Sequence, residues 1–233
     1  MINTASRKLK LIRERAPLFK KALKSCSICP RRCGVDRAAG KAGYCRAPYN
    51  PAAYSYSAHH GEEPALSGTK GSGTIFFTHC NMRCAYCQNY YFSQLDSGKE
   101  VSIAKLADIM LHLQRIGCHN INLVSPTHYV PQIVMALEMA LTKGLNIPIV
   151  YNTGGYDLAD TIRLLDGIID IYLPDMRYSD DSAAKKYSDA IRYVENNRMC
   201  IAQMQRQVGD MVLDDNGIGK KGLIIRLLVL PQD

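Results

Sequence analysis

No run in this sequence approaches the roughly 18 consecutive apolar residues of a membrane-spanning helix, so we expect no membrane association. No signal peptide opens the chain, and we therefore expect a cytoplasmic, reducing environment in which disulfides are disfavoured. There is no basic stripe with interleaved aromatic residues, so the net charge of +8 does not by itself support nucleic-acid binding. Internal repeats and low-complexity tracts are also absent.

Cysteine is the conspicuous residue: nine cysteines without a secretion signal indicate metal or redox chemistry. Three of them, Cys80, Cys84 and Cys87, follow the β-branched and aromatic run 73–78, which we predict to be a buried strand. Cysteine thiolates are the usual ligands of iron–sulfur clusters, and a cubane cluster contains four irons. Three closely spaced cysteines can hold three corners and leave the fourth iron open to a reactant.

The spacing Cys-x3-Cys-x-aromatic-Cys after a first strand resembles the motif of the radical S-adenosylmethionine (SAM) enzymes. Residues 71–77 and 88–90 are similar to a narrower group, the uncharacterised relatives of pyruvate formate-lyase activating enzyme. The resemblance implies a [4Fe–4S] cluster held by Cys80, Cys84 and Cys87, with SAM on the open iron. It also implies reductive cleavage of SAM to a 5′-deoxyadenosyl radical that abstracts a hydrogen atom.

From residue 74 onward, strand patterns alternate with helical patterns, which indicates a parallel sheet covered by helices. We predict helices after Ser102, Pro131 and Asp157, and a helical region at 182–207 that breaks near Asp189. The later strands are predicted at 121–125, 147–152, 168–173 and 223–230.

Periodicity alone also allows a flat doubly wound sheet. The resemblance implies a partial (β/α)6-type barrel, and by that comparison we expect this chain to lack the last unit. We place a helix and Cys-rich metal-binding region at 1–70 and the radical SAM partial barrel at 71–233. The basic amphipathic helix at 6–15 is expected to dock one face on the body.

The resemblance also implies SAM contacts at the strand ends. Tyr86 would lie near the adenine, or it packs in the core. Residues 125–128 stand where relatives have Gly-Gly-Glu-Pro, so a hydroxyl there is expected to substitute, and His128 is either a site residue or an ordinary loop histidine. Arg226 matches a carboxylate-binding arginine, or it forms an internal salt bridge. The predicted cofactor contacts are Tyr86, Ser125, Thr127, Asn152, Asp175, Arg177 and Arg226.

A second group of cysteines has the spacing of a closed four-ligand site, with turn-forming Pro and Gly between the ligands. The sequence leaves zinc, an iron–sulfur cluster and simple buried thiols open. Residues 46–72 are predicted to be an irregular connection, in which 59–64 is a polar surface loop rather than a metal site. The members of the second group are Cys26, Cys29, Cys33 and Cys45.

The resemblance favours a radical SAM oxidoreductase, with a glycyl radical enzyme as the candidate substrate. A small molecule or another peptide is the rival substrate. The expected electron donor is an acidic protein such as flavodoxin or ferredoxin. The alternative is a non-catalytic zinc or iron–sulfur protein that carries electrons or serves as an interaction module, although three cysteines at this spacing do not form a zinc ribbon.

Overall fold

A computed structural model describes residues 4–229 of the chain, and its alternating helices and strands confirm the α/β class. The helices are α1 Thr4–Ala22, α2 Pro64–Ser67, α3 Tyr90–Ser93, α4 Ile103–Arg115, the 3₁₀ turn Thr127–Tyr129, α5 Val130–Thr142, α6 Ala159–Arg163, α7 Asp181–Ser188 and α8 Tyr193–Val208. The strands are β1 Ala52–His59, β2 Ser72–Phe77, β3 Lys99–Glu100, β4 Ile121–Val124, β5 Ile149–Thr153, β6 Ile171–Met176, β7 Val212–Leu213, β8 Gly219–Leu223 and β9 Arg226–Leu227.

The strands form a mixed sheet in the order β3-β1-β2-β4-β5-β6-β8-β7, with β9 also beside β6. Strands β2, β4, β5, β6 and β8 are parallel neighbours, as the alternation of strands and helices predicts. Because these strands run in the same direction, the loops that follow them meet at one edge of the sheet. The cysteine triad, which follows β2, lies at that edge.

The predicted irregular connection at 46–72 contains a strand, so this prediction is wrong. β1 pairs antiparallel with β2, with Ala53 opposite Phe77 at one end and His59 opposite Ser72 at the other. Its alternating Tyr and Ser residues suit a half-exposed strand, although they resemble a loop composition. The sheet thus extends to both sides of residue 70, and the domain boundary stays a prediction.

The predicted strand 223–230 begins earlier and is interrupted. β8 already pairs with β6 at Gly222, and β9 resumes the pairing where Arg226 lies opposite Asp175. The Gly-Lys-Lys-Gly start of β8 has too few apolar side chains to show a strand pattern. Leu230 lies outside the described residues.

Two of the predicted helix boundaries are confirmed, at Ser102 and at Asp189. Ser102 caps α4, because its hydroxyl accepts a hydrogen bond of 3.1 Å from the backbone N–H of Lys105. Asp189, in the left-handed conformation at φ 49°, ends α7 and produces the break predicted within 182–207.

Asp157 does not cap α6, contrary to the prediction, because Leu158 occupies the cap position. The Asp157 carboxylate is buried instead, where it accepts hydrogen bonds from the hydroxyls of Tyr151 at 2.8 Å and Thr153 at 2.6 Å. A buried carboxylate needs such donors, and β5 supplies them.

The N-terminal helix α1 packs against α5, as predicted for its apolar face. Ile12 and Phe19 on that face are fully buried, and the Lys8 ammonium forms an ion pair with Asp170. Within residues 4–229, no helix combines the length and apolar character needed to cross a membrane.

Candidate active site

The cysteine triad lies between β2 and α3, at the carboxyl edge of the parallel strands. All three cysteines line a cavity of about 50 Å³. Loops after β4, β5 and β6 close this cavity from the other side, so residues far apart in the sequence meet there. The predicted site residues that line it are Cys80, Cys84, Cys87, Ser125, Thr127 and Arg177.

Hydrogen-bond donors point at the triad sulfurs. Cys84 Sγ accepts from Arg177 Nη1 at 3.2 Å and from the Ser188 hydroxyl at 3.0 Å. Cys80 Sγ accepts from the backbone N–H of Met82 at 3.4 Å. Such donors and a nearby guanidinium stabilise thiolates, the form in which cysteine binds iron. The donor set therefore fits a thiolate-ligated cluster.

Burial, together with the neighbouring Cys84, raises the pKa of the Cys80 thiol to about 12. Since a ligating cysteine must be deprotonated, metal binding at this loop is coupled to proton release. In the 4–229 segment no three His, Cys, Asp or Glu side chains gather around a single-ion position. A cubane cluster distributes its thiolate ligands over separate irons.

Asp175, near the carboxyl end of β6, is shared by two arginines. Its Oδ2 accepts from Arg177 Nε at 3.1 Å, and its Oδ1 accepts from Arg226 Nε at 2.8 Å. Arg226 Nη2 also donates to Asn152 Oδ1 at 2.6 Å. A continuous chain of polar contacts thus runs from Cys84 to β9. The sequence allowed Arg226 either to bind a ligand carboxylate or to form an internal salt bridge, and the structure shows an internal ion pair with Asp175.

A second cavity, of about 280 Å³, adjoins the first, and both are lined by Cys87 and Arg177. Its volume is close to the lower end of small-molecule pockets. Tyr86, Asp175 and Arg226 line this cavity. The Tyr86 hydroxyl lies 2.6 Å from that of Tyr178, so the aromatic ring is fixed at the cavity wall.

The two glycines after β5 serve different purposes. Gly155 has φ 72°, and an added Cβ would lie 2.2 Å from the backbone carbonyl oxygen of Asp175. Gly154 lines the triad cavity, where an added Cβ would approach Met82 Sδ to 3.3 Å. Close packing between β5 and β6 therefore requires Gly155, whereas Gly154 opens space at the site.

In the predicted polar surface loop at 59–64, residues 60, 61 and 64 are exposed, but the Glu62 side chain is only 8% exposed. Its Oε2 lies 3.8 Å from Arg226 Nη1, and Glu63 Oε1 lies 4.0 Å from Arg226 Nε. Burial raises the pKa of Glu62, although Arg226 opposes the shift. No local sequence pattern indicates that this loop contacts β9, so the contact between Glu62 and Arg226 was not predicted.

The second cysteine group lies in the segment between α1 and β1, and within residues 4–229 no three of its side chains gather around a single-ion position. The backbone folds into a tight turn in which Cys26 N–H donates to Val35 O and Gly34 N–H donates to Cys26 O, both at 2.9 Å. Three of the thiols are buried and Cys33 is exposed. The members are Cys26, Cys29, Cys33 and Cys45.

Residues 74–198 match the family model described as the radical SAM superfamily, and this match covers more than half of the chain. The chain therefore belongs to the radical SAM superfamily. Membership implies an enzyme with a [4Fe–4S] cluster and SAM as cofactors. The match begins within β2 and includes the triad and Asp175–Arg177, but it leaves the second cysteine group outside.

A curated protein of Methanocaldococcus jannaschii, itself described as uncharacterised, is 28% identical to this chain over 211 residues. The alignment covers 85% of this chain and 60% of the relative. The chain thus spans about three-fifths of the relative's length, and this similarity identifies neither a substrate nor a partner for the chain.

Proposed function

We propose that Cys80, Cys84 and Cys87 hold the [4Fe–4S] cluster and that the two adjoining cavities bind SAM. The supporting observation is that three thiols, two of which accept hydrogen bonds from the protein, meet at the carboxyl edge of the sheet. When bound, the cluster and SAM supply a 5′-deoxyadenosyl radical that abstracts a hydrogen atom from the substrate. We also propose that the parallel strands curve into the partial barrel of this superfamily.

The protein residues bind and orient in this proposal. Asp175 and Arg177 contact the ribose and methionine parts of SAM, and Arg226 with Asn152 fixes Asp175 from behind. Tyr86 forms the wall beside the adenine. The Ser125–Thr127 loop contacts the amino group; since the Thr127 hydroxyl lies 3.2 Å from that of Thr153, we assign this contact first to Ser125.

We further propose that the substrate is a glycyl radical enzyme and that a flavodoxin or ferredoxin supplies the electron. The activase proposal is supported by the sequence around the triad, which is similar to relatives of pyruvate formate-lyase activating enzyme. The net charge of +8 favours an acidic donor. A glycyl radical signal in a co-purified partner after incubation with SAM and reductant would support this role; turnover of a small molecule alone would contradict it.

We also propose that Cys26, Cys29, Cys33 and Cys45 hold a second metal centre. Their sequence spacing in a turn-rich segment, with three of the four thiols buried, supports it. Both zinc and an iron–sulfur cluster use four thiolates, so metal and sulfide analysis decides between them.

The central experiment is anaerobic reconstitution with iron and sulfide, followed by reduction and addition of SAM. We expect SAM to change the electron paramagnetic resonance spectrum of the reduced cluster and to yield 5′-deoxyadenosine. A protein that binds only zinc and leaves SAM intact would instead support the non-catalytic alternative.

A further inference from the structure

Ser188 lies at the end of α7 and is fully buried, and its hydroxyl donates to Cys84 Sγ at 3.0 Å. Two backbone hydrogen bonds hold the end of this helix against the triad loop. Arg83 N–H donates to Ser188 O at 2.9 Å. Ala85 N–H donates to Tyr187 O at 2.8 Å. The hydroxyl is therefore kept at the sulfur by bonds in which the Ser188 side chain takes no part.

Two tyrosine hydroxyls extend this contact to the wall of the second cavity. Tyr178 Oη lies 2.6 Å from Ser188 Oγ, and Tyr86 Oη lies 2.6 Å from Tyr178 Oη. Burial raises the pKa of Tyr178, so its hydroxyl keeps its proton at neutral pH. Tyr86 lines the second cavity, where we place the adenine of SAM. We call the three side chains Ser188, Tyr178 and Tyr86 the hydroxyl network.

The number of available protons fixes the direction of these hydrogen bonds. Each hydroxyl has one proton to donate, and a thiolate that binds iron has none. Ser188 therefore donates to Cys84 and accepts from Tyr178. Since Tyr178 has then used its only proton, it accepts from Tyr86. Every bond in the hydroxyl network thus points toward the sulfur, and hydrogen bonds aligned in this way polarise one another.

Hydrogen bonds to the ligating sulfurs help to set the reduction potential of an iron–sulfur cluster. A donor withdraws negative charge from the thiolate and so favours the reduced cluster, which carries one more electron. We infer that the hydroxyl network raises the reduction potential of the cluster through Cys84 Sγ. This inference rests on the proposed function, in which Cys84 is a ligand of the cluster. Arg177 donates to the same sulfur at 3.2 Å, but we also assign it to SAM, so the hydroxyl network is the donor whose effect can be measured separately.

The test is a redox titration of the reconstituted full chain with dithionite, in the absence of SAM, monitored by electron paramagnetic resonance. The signal that is lost in Cys84→Ala identifies the triad cluster. In Ser188→Ala, the ratio of reduced to oxidised cluster at a fixed solution potential should fall about tenfold, which for one electron is a negative shift of about 59 mV.

The tyrosine variants test whether the three hydroxyls act in series. Tyr178→Phe keeps the Ser188 donor and removes only its polarisation, so its negative shift should be smaller than that of Ser188→Ala. Tyr86→Phe, one hydroxyl further from the sulfur, should give the smallest shift. The matched control is Ser182→Ala, which removes an exposed hydroxyl from the same helix and should leave the potential unchanged.

Iron and sulfide contents and the urea midpoint separate a loss of the cluster from a change in its potential. Equal potentials in the wild type, Ser188→Ala and Tyr178→Phe, at equal iron content, would overturn the inference and leave Cys84 as a ligand. If Ser188→Ala does not fold, Tyr178→Phe decides: a negative shift supports the inference and an unchanged potential refutes it. If Cys84→Ala removes no signal, the proposed ligand fails, and the inference fails with it.

Discussion

Arg83 donates a hydrogen bond of 2.8 Å to the backbone carbonyl of Tyr44, and this contact joins the two cysteine regions. Arg83 belongs to the triad loop, and Tyr44 directly precedes Cys45. From the other side, Arg31 donates to the backbone carbonyl of Asn81 at 3.0 Å, and its guanidinium lies 3.5 Å from the centre of the Tyr44 ring. An arginine from each cysteine region thus donates a hydrogen bond to the backbone of the other region, and both guanidinium groups contact the Tyr44 ring.

Replacement of Tyr44 by Leu should weaken this connection. The ring contacts both guanidinium groups, at 3.5 Å for Arg31 and 4.7 Å for Arg83. Since such contacts are worth about 1 kcal/mol each, we expect loss of the ring to lower the free energy of unfolding by about 2 kcal/mol, in addition to the cost of the lost hydroxyl. The rate of 5′-deoxyadenosine formation, at equal cluster content, should fall as well because the triad loop loses support. Urea unfolding and a SAM cleavage assay measure the two effects.

Tyr44→Phe is the matched control, because it keeps the ring and removes only the hydroxyl that donates to Asp189 Oδ2 at 2.7 Å. Tyr44→Phe should lower the free energy of unfolding by about 1 kcal/mol and have little effect on SAM cleavage. If Leu and Phe at this position give the same cleavage rate, the ring does not position the triad loop.

Replacement of Cys84 by Ala should abolish reductive SAM cleavage, because one corner of the cluster loses its protein ligand. The metal at the second cysteine group should remain, and elemental analysis measures it. Cys118→Ala removes a buried thiol that belongs to neither group and should leave cleavage intact. Cleavage that persists in Cys84→Ala would refute the assignment of this ligand.

The triad and the strand before it could be predicted because both are local: the cysteine spacing and the apolar run lie within fifteen residues of each other. The same holds for Ser102, whose hydroxyl caps the helix that begins at the next residue. The contacts of Arg31 with Asn81 and of Glu62 with Arg226 join distant parts of the chain. Neither contact leaves a local pattern, so only the folded sheet reveals it.

The strands that were missed, β1 and β8, show that prediction from the sequence also depends on burial. β1 is half exposed and β8 begins with two lysines between glycines, so neither has the apolar run by which the central strands are recognised. Their pairing depends on β2 and β6, which offer free edges to them.

Asp175→Asn should destabilise the protein, because it removes the negative charge shared by Arg177 and Arg226. Breaking a buried pair costs about 3–5 kcal/mol; the nearby Glu62 compensates Arg226 in part, so we expect roughly 2–3 kcal/mol. SAM affinity should fall too, and calorimetric titration measures it. Asp160→Asn breaks an exposed pair with Arg163 and should cost less than about 1 kcal/mol. Equal losses in the two variants would show that Asp175 is not a shared counter-ion.

The stability of the protein should fall below neutral pH because of His128. Burial, with smaller contributions from Arg37 and His79, lowers the pKa of this imidazole to about 3. In the unfolded chain its pKa is about 6.5, so between these values only the unfolded state binds the proton. Acidification through this range therefore favours unfolding by about 1.4 kcal/mol per pH unit. At about pH 5, His128 should reduce the free energy of unfolding by about 2 kcal/mol.

His128→Gln tests this directly. The Gln amide can donate to Thr78 O as the imidazole Nε2 does at 2.8 Å, but it does not titrate. Urea unfolding of both chains at about pH 5 and about pH 7.5 should therefore show a smaller loss for the variant, by about 2 kcal/mol. Burial also lowers the pKa of His79, but that residue is present in both chains and its contribution cancels. Parallel pH profiles would mean that His128 is accessible to protons in the folded state, which would contradict its burial.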